Sequence, residues 1–372
     1  MQLPKPVHAH TTADAIVRWY DKKDDLPRPH LGCSEIGKEC DRALWYGFRW
    51  ASTKKIDPRI KRLFDTGKRE ELRFIHELRG IGATVYDVDP VTKQQIRFTG
   101  YKGHLRGSAD AICKDLPEAP KTWAIAEFKT HGDKSFAALK KDGVQKAKFE
   151  HYIQMQMYMG FAELTRALYL ANNKNTDELY SEWIHFDKDT FASFNERARY
   201  IIDSIDPPQG ISTNQSWYQC KFCDHHAVCH TDQIANTSCR TCVHVTPVDN
   251  GHWHCAKHDK HVDTDTQRIG CGSHLMLPAL VKYADVVDGS SEWVKYQDKT
   301  SGILFANVTK DASDVPSDVA IKLTSNELNA ASRPMLAEPR VQEFKKVFPD
   351  ARIMKKEPKA NIPLVDDEVL FD

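Results

Sequence analysis

The chain of 372 residues sets 52 Lys and Arg against 52 Asp and Glu, is 41% hydrophobic and 28% charged, and carries 10 cysteines. Its length suits two or three domains, and a mean hydropathy of −0.56, with no apolar run near roughly 18 residues, excludes a membrane-spanning helix. Zero formal net charge excludes a polybasic coat but leaves room for a local basic groove. The opening MQLPKPVHAHTTADAIVRWYDKKDD lacks the apolar core of a secretory signal, so a cytoplasmic location with reduced thiols is expected, and clustered cysteines are better metal or cluster ligands than disulfides.

In chain order, Ile36, Leu44, Trp45 and Phe48 suit a helix over 34–50 entered through Ser34 as N-cap, and 60–79 suits a longer helix. ATVYDV, QQIRFT, LRGSADAIC and TWAIAEFKT, separated by Gly, Pro and Asp, predict a meander of strands. A helix over 146–162, strands at RALYLA and LYSEWIHF, and a helix over about 188–203 stopped by Pro207-Pro208 complete a mixed α/β core. Cysteine-rich patches follow at 220–229 and 239–274, with a boundary expected near 232–238. WVKYQ and GILFANV predict a hairpin, TSNELNAA a helix opened by Thr324 or Ser325, and LVDDEVLFD an acidic tail.

The chemistry concentrates in TWAIAEFKT. A period of two puts Trp123, Ile125, Glu127 and Lys129 on one strand face, in a strand otherwise apolar enough to be buried, where unpaired charge is costly. The preceding GSAD delivers Asp110. If the two strands are neighbours, Asp110 and Glu127 converge on one hard divalent cation, and Lys129 beside them can orient a water and stabilise charge growing on a phosphate.

Gly107-Ser108-Ala109-Asp110 followed by Ala126-Glu127-Phe128-Lys129 resembles the signature of the PD-(D/E)XK nucleases, in the form of the RecB-like and phage-exonuclease branches. The resemblance covers about 33–231 and implies a mixed central sheet flanked by helices, Mg2+ or Mn2+ as catalytic metal, and DNA as substrate, with single strands or duplex ends favoured. Gly67 to Glu71 on the long helix is similar to the family's first motif, which implies Glu71 as a further metal ligand, although many RecB-like members have His there. Gln154 and Tyr158, which share a helical face with His151, match the family's Q-x-x-x-Y helix that closes the site.

Cys220-x2-Cys223-x5-Cys229 needs a fourth ligand, and soft thiolates at this spacing suit a 4Fe-4S cluster or zinc equally. The iron-sulfur RecB-like nucleases, including AddB-type helicase-nucleases and CRISPR-associated exonucleases, place one Cys before the core and this triplet after it. The resemblance therefore implies Cys40, followed by the basic Arg42, as the fourth cluster ligand, with Cys33 as rival and His225 or His226 as zinc alternatives. Cys239-x2-Cys242-x12-Cys255-x15-Cys271 is a zinc-ribbon-like set for Zn2+, crowded by His252, His254, His258 and His274.

The expected organisation is an N-terminal extension at 1–32, the nuclease core with its iron-sulfur staple at 33–231, a zinc-binding module at 236–280, a small α+β module at 281–360 and the tail at 361–372. WASTKKIDPRIKRLF and KTHGDKSFAALKKDGVQKAK interleave basic and aromatic residues beside the motifs, as a DNA path would. The function implied is a metal-dependent DNA exonuclease of recombination, repair or phage DNA metabolism, acting in the host cytoplasm if phage-encoded, with the C-terminal module available to a protein partner. The competing expectation is a non-catalytic nucleic-acid-binding protein on a degenerate nuclease core.

Overall fold

The computed structural model describes residues 11–348 and 351–354. The acidic tail expected at 361–372 lies outside the described residues. No helix among the described residues is long and apolar enough to cross a membrane.

Helix α1 (Thr12–Asp21) is opened by a capping box between Thr11 and Asp14 and is tied to the long α3 (Pro58–Gly80) by Tyr20 Oη donating to Asp65 at 2.8 Å. Between them lie β1 (Leu31–Gly32) and α2 (Asp41–Phe48). The helix expected over 34–50 is thus shorter and has Cys40, not Ser34, at its N-cap. The reason is tertiary: the N–H groups of Leu31 and Cys33 donate to the carbonyls of His104 and Arg106, so the chain must turn before a helix can begin. Within that turn Gly37 lies so close to a later helix that a Cβ there would stand 2.9 Å from the Glu150 Cα.

After β2 (Thr84–Tyr86), β3 (Arg97–Thr99), β4 (Leu105–Ser108), β5 (Ala111–Lys114) and β6 (Ala124–His131), the chain forms α4 (Asp133–Ala147), α5 (Phe149–Ala162), β7 (Arg166–Asn173), β8 (Leu179–His185) and α6 (Lys188–Asp203). The expected meander is split between two sheets. β2-β5-β6-β7-β8 is a five-stranded mixed sheet, parallel only at β6–β7, whereas β3 and β4 join β1 in a separate sheet ordered β1-β4-β3. The chain crosses between sheets at Ala109-Asp110, where Ala109 is fully buried and too small to obstruct the passage. Burial on both faces of β6 follows from helix cover: Phe74 of α3 stacks on Phe128 from one side, and α5 packs from the other.

Beyond α6 come the short α7 (Tyr218–Lys221) and α8 (His226–His230), then β9 (Val245–Pro247), β10 (Trp253–Cys255) and β11 (Lys260–Val262) in one antiparallel sheet, and α9 (Thr264–Ile269). The last sheet runs β12 (Ala284–Gly289), β13 (Trp293–Asp298), β14 (Leu304–Val308), β15 (Ile321–Leu323), with β13–β14 the expected hairpin. α10 (Ser325–Ala330) is opened by the Thr324–Glu327 capping box, and α11 (Arg333–Ala337) and α12 (Pro339–Val347) follow.

The hydrophobic interior is continuous across the stretch where a boundary was expected. One cluster of buried residues includes Leu31, Trp45, Ile153, Ile201, Ile234, Trp253, Tyr296 and Leu336. Trp253 packs at a tilt on Phe48 at 5.1 Å and meets the edge of His104 at 5.6 Å. Arg240, 1% exposed, lies 3.7 Å from the Trp50 ring centroid and donates to the carbonyls of Phe48 and Pro29. Arg49 donates to the carbonyls of Arg240 and Ser204. A guanidinium that satisfies backbone carbonyls and stacks on indoles can be buried without a carboxylate partner.

Candidate functional site

Strand pairing brings together the residues singled out in the sequence. β5 and β6 run antiparallel with Ala111 opposite Ala126, so Asp110, just before β5, reaches the side of Phe128. Its Oδ2 accepts the Phe128 N–H at 2.8 Å. Glu127, with no exposed surface, is ion-paired to Lys129 through Oε1, and Lys129 Nζ also donates to the Phe128 carbonyl at 3.2 Å. The Lys129 side chain is 25% exposed.

The electrostatics of this cluster are mutual. Burial pushes the Glu127 carboxyl up to about 8, against the pull of Lys129 and with the charges of Asp110 and Glu71 adding to it. Asp110 is raised by burial as well, opposed by Lys129 and the Phe128 N–H. Glu71, carried on α3 one turn before Phe74, is raised by burial and by Asp110. Burial works to lower Lys129, but Glu127, Asp110 and Glu71 outweigh it and the ammonium is held. Glu127 Oε2 remains buried with no hydrogen-bond partner. Such an orphaned carboxylate oxygen, in a cluster with more negative than positive groups, fits a hard cation.

α5 supplies the wall. Gln154 Nε2 donates to Tyr158 Oη at 3.0 Å, and both side chains are buried. The tyrosine ring explains the glycine of GSAD: a Cβ on Gly107 would sit 2.4 Å from Tyr158 Cε1 and 2.9 Å from Cys33 Cβ. Cys33 is fully buried behind that contact, with burial pushing its thiol up to about 12. It lines neither of the cavities that the clustered thiols share. Two groups were missed by sequence reasoning, His131 and Tyr169. Parallel pairing puts Tyr169 of β7 opposite Glu127, and its hydroxyl sits between His131 and His151. The one sequence signal was His131 continuing the Glu127, Lys129 alternation.

Cys40, Cys220, Cys223 and Cys229 line one cavity of about 40 Å3, with Tyr46 and His225. Their charges act on one another, raising Cys220 and Cys223 beyond the effect of burial. Arg42, anchored on the Pro208 carbonyl, points a guanidinium nitrogen at Cys229 Sγ at 3.8 Å. Cys239, Cys242, Cys255 and Cys271 line a second cavity of about 270 Å3, with His258 Nε2 3.7 Å from Cys271 Sγ. Of the other histidines there, His274 donates to the Ser238 carbonyl and His254 meets Asp259, so both are occupied. Thiols that interact electrostatically around a shared void fit a soft metal or cluster. Among the described residues, however, no three His, Cys, Asp or Glu side chains close to metal-holding geometry as they stand.

The two basic runs are partly spoken for. Lys54, Lys55 and Lys61 pair with Asp224, Asp21 and Asp25, and Lys140 and Lys146 with Glu178 and Asp142.

Residues 9–230 match the profile of the PD-(D/E)XK nuclease superfamily. No curated protein matches the chain. Among solved structures it is similar to SSO0001 at 14% identity and a TM-score of 0.38, over 58% of this chain and 95% of that one. It is similar to the alkaline exonuclease LHK-Exo from Laribacter hongkongensis at 14% identity and a TM-score of 0.34, over 47% and 87%. A phage related exonuclease from Haemophilus somnus 129PT gives 13% identity and a TM-score of 0.33, over 46% and 91%.

Proposed function

The chain belongs to the PD-(D/E)XK nuclease superfamily, and from that premise we propose that it is a divalent-metal-dependent exodeoxyribonuclease of the RecB-like iron-sulfur branch, serving recombination, repair or phage DNA metabolism in the cytoplasm. The observation that carries this reading is the unpartnered, buried Glu127 Oε2 amid Asp110, Glu71 and Lys129. Asp110, Glu127 and Glu71 would hold Mg2+ or Mn2+, which supplies Lewis acidity at the phosphate. Lys129 stays protonated, orients the attacking water and offsets charge growing on the phosphate oxygens. Gln154 and Tyr158 close the site from α5 and exclude bulk water.

Cys40, Cys220, Cys223 and Cys229 would hold a 4Fe-4S cluster, with Arg42 offsetting thiolate charge at Cys229. Cys239, Cys242, Cys255 and Cys271 would hold Zn2+. The first set joins α2 to the segment after α6, so it acts on the fold and only through the fold on cleavage. The organisation proposed is the nuclease core at 33–231, the zinc module at 236–280 and the α+β module at 281–360, the last available to a protein partner.

The test is cleavage of end-labelled linear DNA against its circular form with Mg2+, Mn2+ or chelator. Asp110→Ala and Glu127→Ala are expected to abolish cleavage, and Lys129→Ala to nearly abolish it with metal affinity spared. Full hydrolysis by folded Glu127→Ala protein would remove the assignment, and binding of DNA without cleavage by the metal-loaded parent chain would favour a degenerate binding protein.

A further inference from the structure

The buried groups beside the carboxylate cluster form a hydrogen-bonded chain that the reading above does not use. Ser135 Oγ lies 3.1 Å from His131 Nδ1, His131 Nε2 lies 2.8 Å from Tyr169 Oη, and Tyr169 Oη lies 2.9 Å from His151 Nδ1. The four residues come from β6, α4, β7 and α5, the elements that frame Glu127 and Lys129. Burial holds both imidazoles far below their usual range, His131 to about 4 and His151 to about 3, so both are neutral in neutral solution.

In a neutral chain each group has one proton to place, and fixing one orientation fixes all of them. If Ser135 donates to His131 Nδ1, then His131 Nε2–H donates to Tyr169, Tyr169 O–H donates to His151 Nδ1, and His151 Nε2 must carry its hydrogen. The reverse order leaves His151 Nε2 as a bare lone pair. The first order puts both side chains in the Nε2–H tautomer that free neutral histidine prefers, and it is the one compatible with an anion, because phosphate oxygens only accept. The free end of the chain lies on the side of the site: His151 shares the α5 face of Gln154 and Tyr158, and of the charges acting on it that of Lys129 has the largest effect. Its Nε2 has no protein partner among the described residues and is not among the atoms sealed from solvent.

We propose that His151 presents a fixed Nε2–H donor to a non-bridging oxygen of the substrate phosphate held beside Lys129, and that Tyr169, His131 and Ser135 are positioning residues that set its tautomer. The inference rests on the nuclease reading. A neutral donor adjacent to the ammonium adds direction where Lys129 adds charge, and the chain holds it without a carboxylate that would repel the phosphate.

The experiment uses the full chain with Mg2+ and linear DNA carrying a single phosphorothioate of either configuration at the scissile position. His151→Leu is expected to lower kcat by about 10²-fold, the size typical of one lost oxyanion donor, and to erase the parent chain's preference between the two sulfur configurations. His151→Gln, which can place an amide N–H near the same point, is expected to recover much of the rate. Tyr169→Phe is expected to lower kcat by roughly 10-fold. A purely structural network would lower melting temperature and leave the sulfur preference intact, and that result, or unchanged kcat in folded variants, overturns the proposal. Histidine 15N NMR on the metal-free chain decides it independently of cleavage. An Nε2–H tautomer at His151 that becomes mixed in Tyr169→Phe supports it, and an Nδ1–H tautomer refutes it even if the chain proves to be an active nuclease. An inactive metal-loaded parent chain with the Nε2–H tautomer would instead remove the nuclease reading and the phosphate contact with it, leaving only the tautomer assignment standing.

Discussion

Trp253 belongs to the cysteine-rich segment, yet its ring is fully buried against Phe48 of α2 and against His104, just before β4 of the nuclease core, and Trp253→Ala tests whether the two are one cooperative unit. Truncating a buried Trp costs about 4 kcal/mol in lost transfer energy and cavity formation. Arg49 and Arg240, whose guanidiniums lie 5.2 and 4.6 Å from the ring centroid, each lose one aromatic face but keep another, on Trp45 and Trp50, so each loss is about 1 kcal/mol. Against this, the indole N–H is buried without an acceptor, so its removal returns about 1 kcal/mol. The net loss is about 5 kcal/mol, a third or more of a typical stability, and corresponds to a fall in melting temperature of about 10 °C at roughly 2 °C per kcal/mol for a chain this long. The assay is thermal unfolding by fluorescence beside residual cleavage of end-labelled DNA after graded heating. One transition, shifted down and shared by both readouts, is expected. If cleavage survives to the parent temperature while the 236–280 segment alone becomes protease-sensitive, the two parts fold independently and the reasoning is refuted. By the same logic a chain ending near residue 235 should be insoluble, because it uncovers Phe48, Trp50 and His104.

Three other outcomes follow from single contacts. His30, His104 and His131 are each held near about 4 by burial, so between that value and their usual 6.5 the unfolded chain binds more protons. Their contribution is full above 6.5 and is lost as pH falls through about 4, so urea midpoints should drop between about pH 7 and about pH 5. Anaerobically purified protein should be brown and contain iron and zinc, and Cys223→Ser should bleach the colour with loss of iron but not of zinc; elemental analysis showing zinc alone would make the first site a zinc site. Gly107→Ala should cut cleavage steeply with a smaller effect on stability, since the added Cβ would drive Tyr158 off its place over the site. Unchanged cleavage rates would show that Tyr158 can move without consequence.

What the sequence determined is what short-range geometry controls. Alternation along a strand set Glu127 beside Lys129, Pro207-Pro208 accompanied the end of α6 at Asp203, and Thr324 capped α10 through Glu327 three residues later. Each depends on backbone sterics and hydrogen bonds spanning a few residues, so local sequence suffices. The start of α2 was misjudged because β-bridging of Leu31 and Cys33 to residues more than sixty positions away overrode a good helical pattern. α4 went unrecognised because its lysines masked a buried face of Phe136, Leu139 and Val144 that exists only once β7 and β8 are in place. Tyr169 opposite Glu127, Arg42 on Cys229 and Arg240 between Trp50 and Trp253 were likewise decided by the tertiary structure. These contacts bring together residues far apart along the chain. Their energy comes from excluding water at a shared interior, and no local period or spacing encodes which distant surfaces will share it.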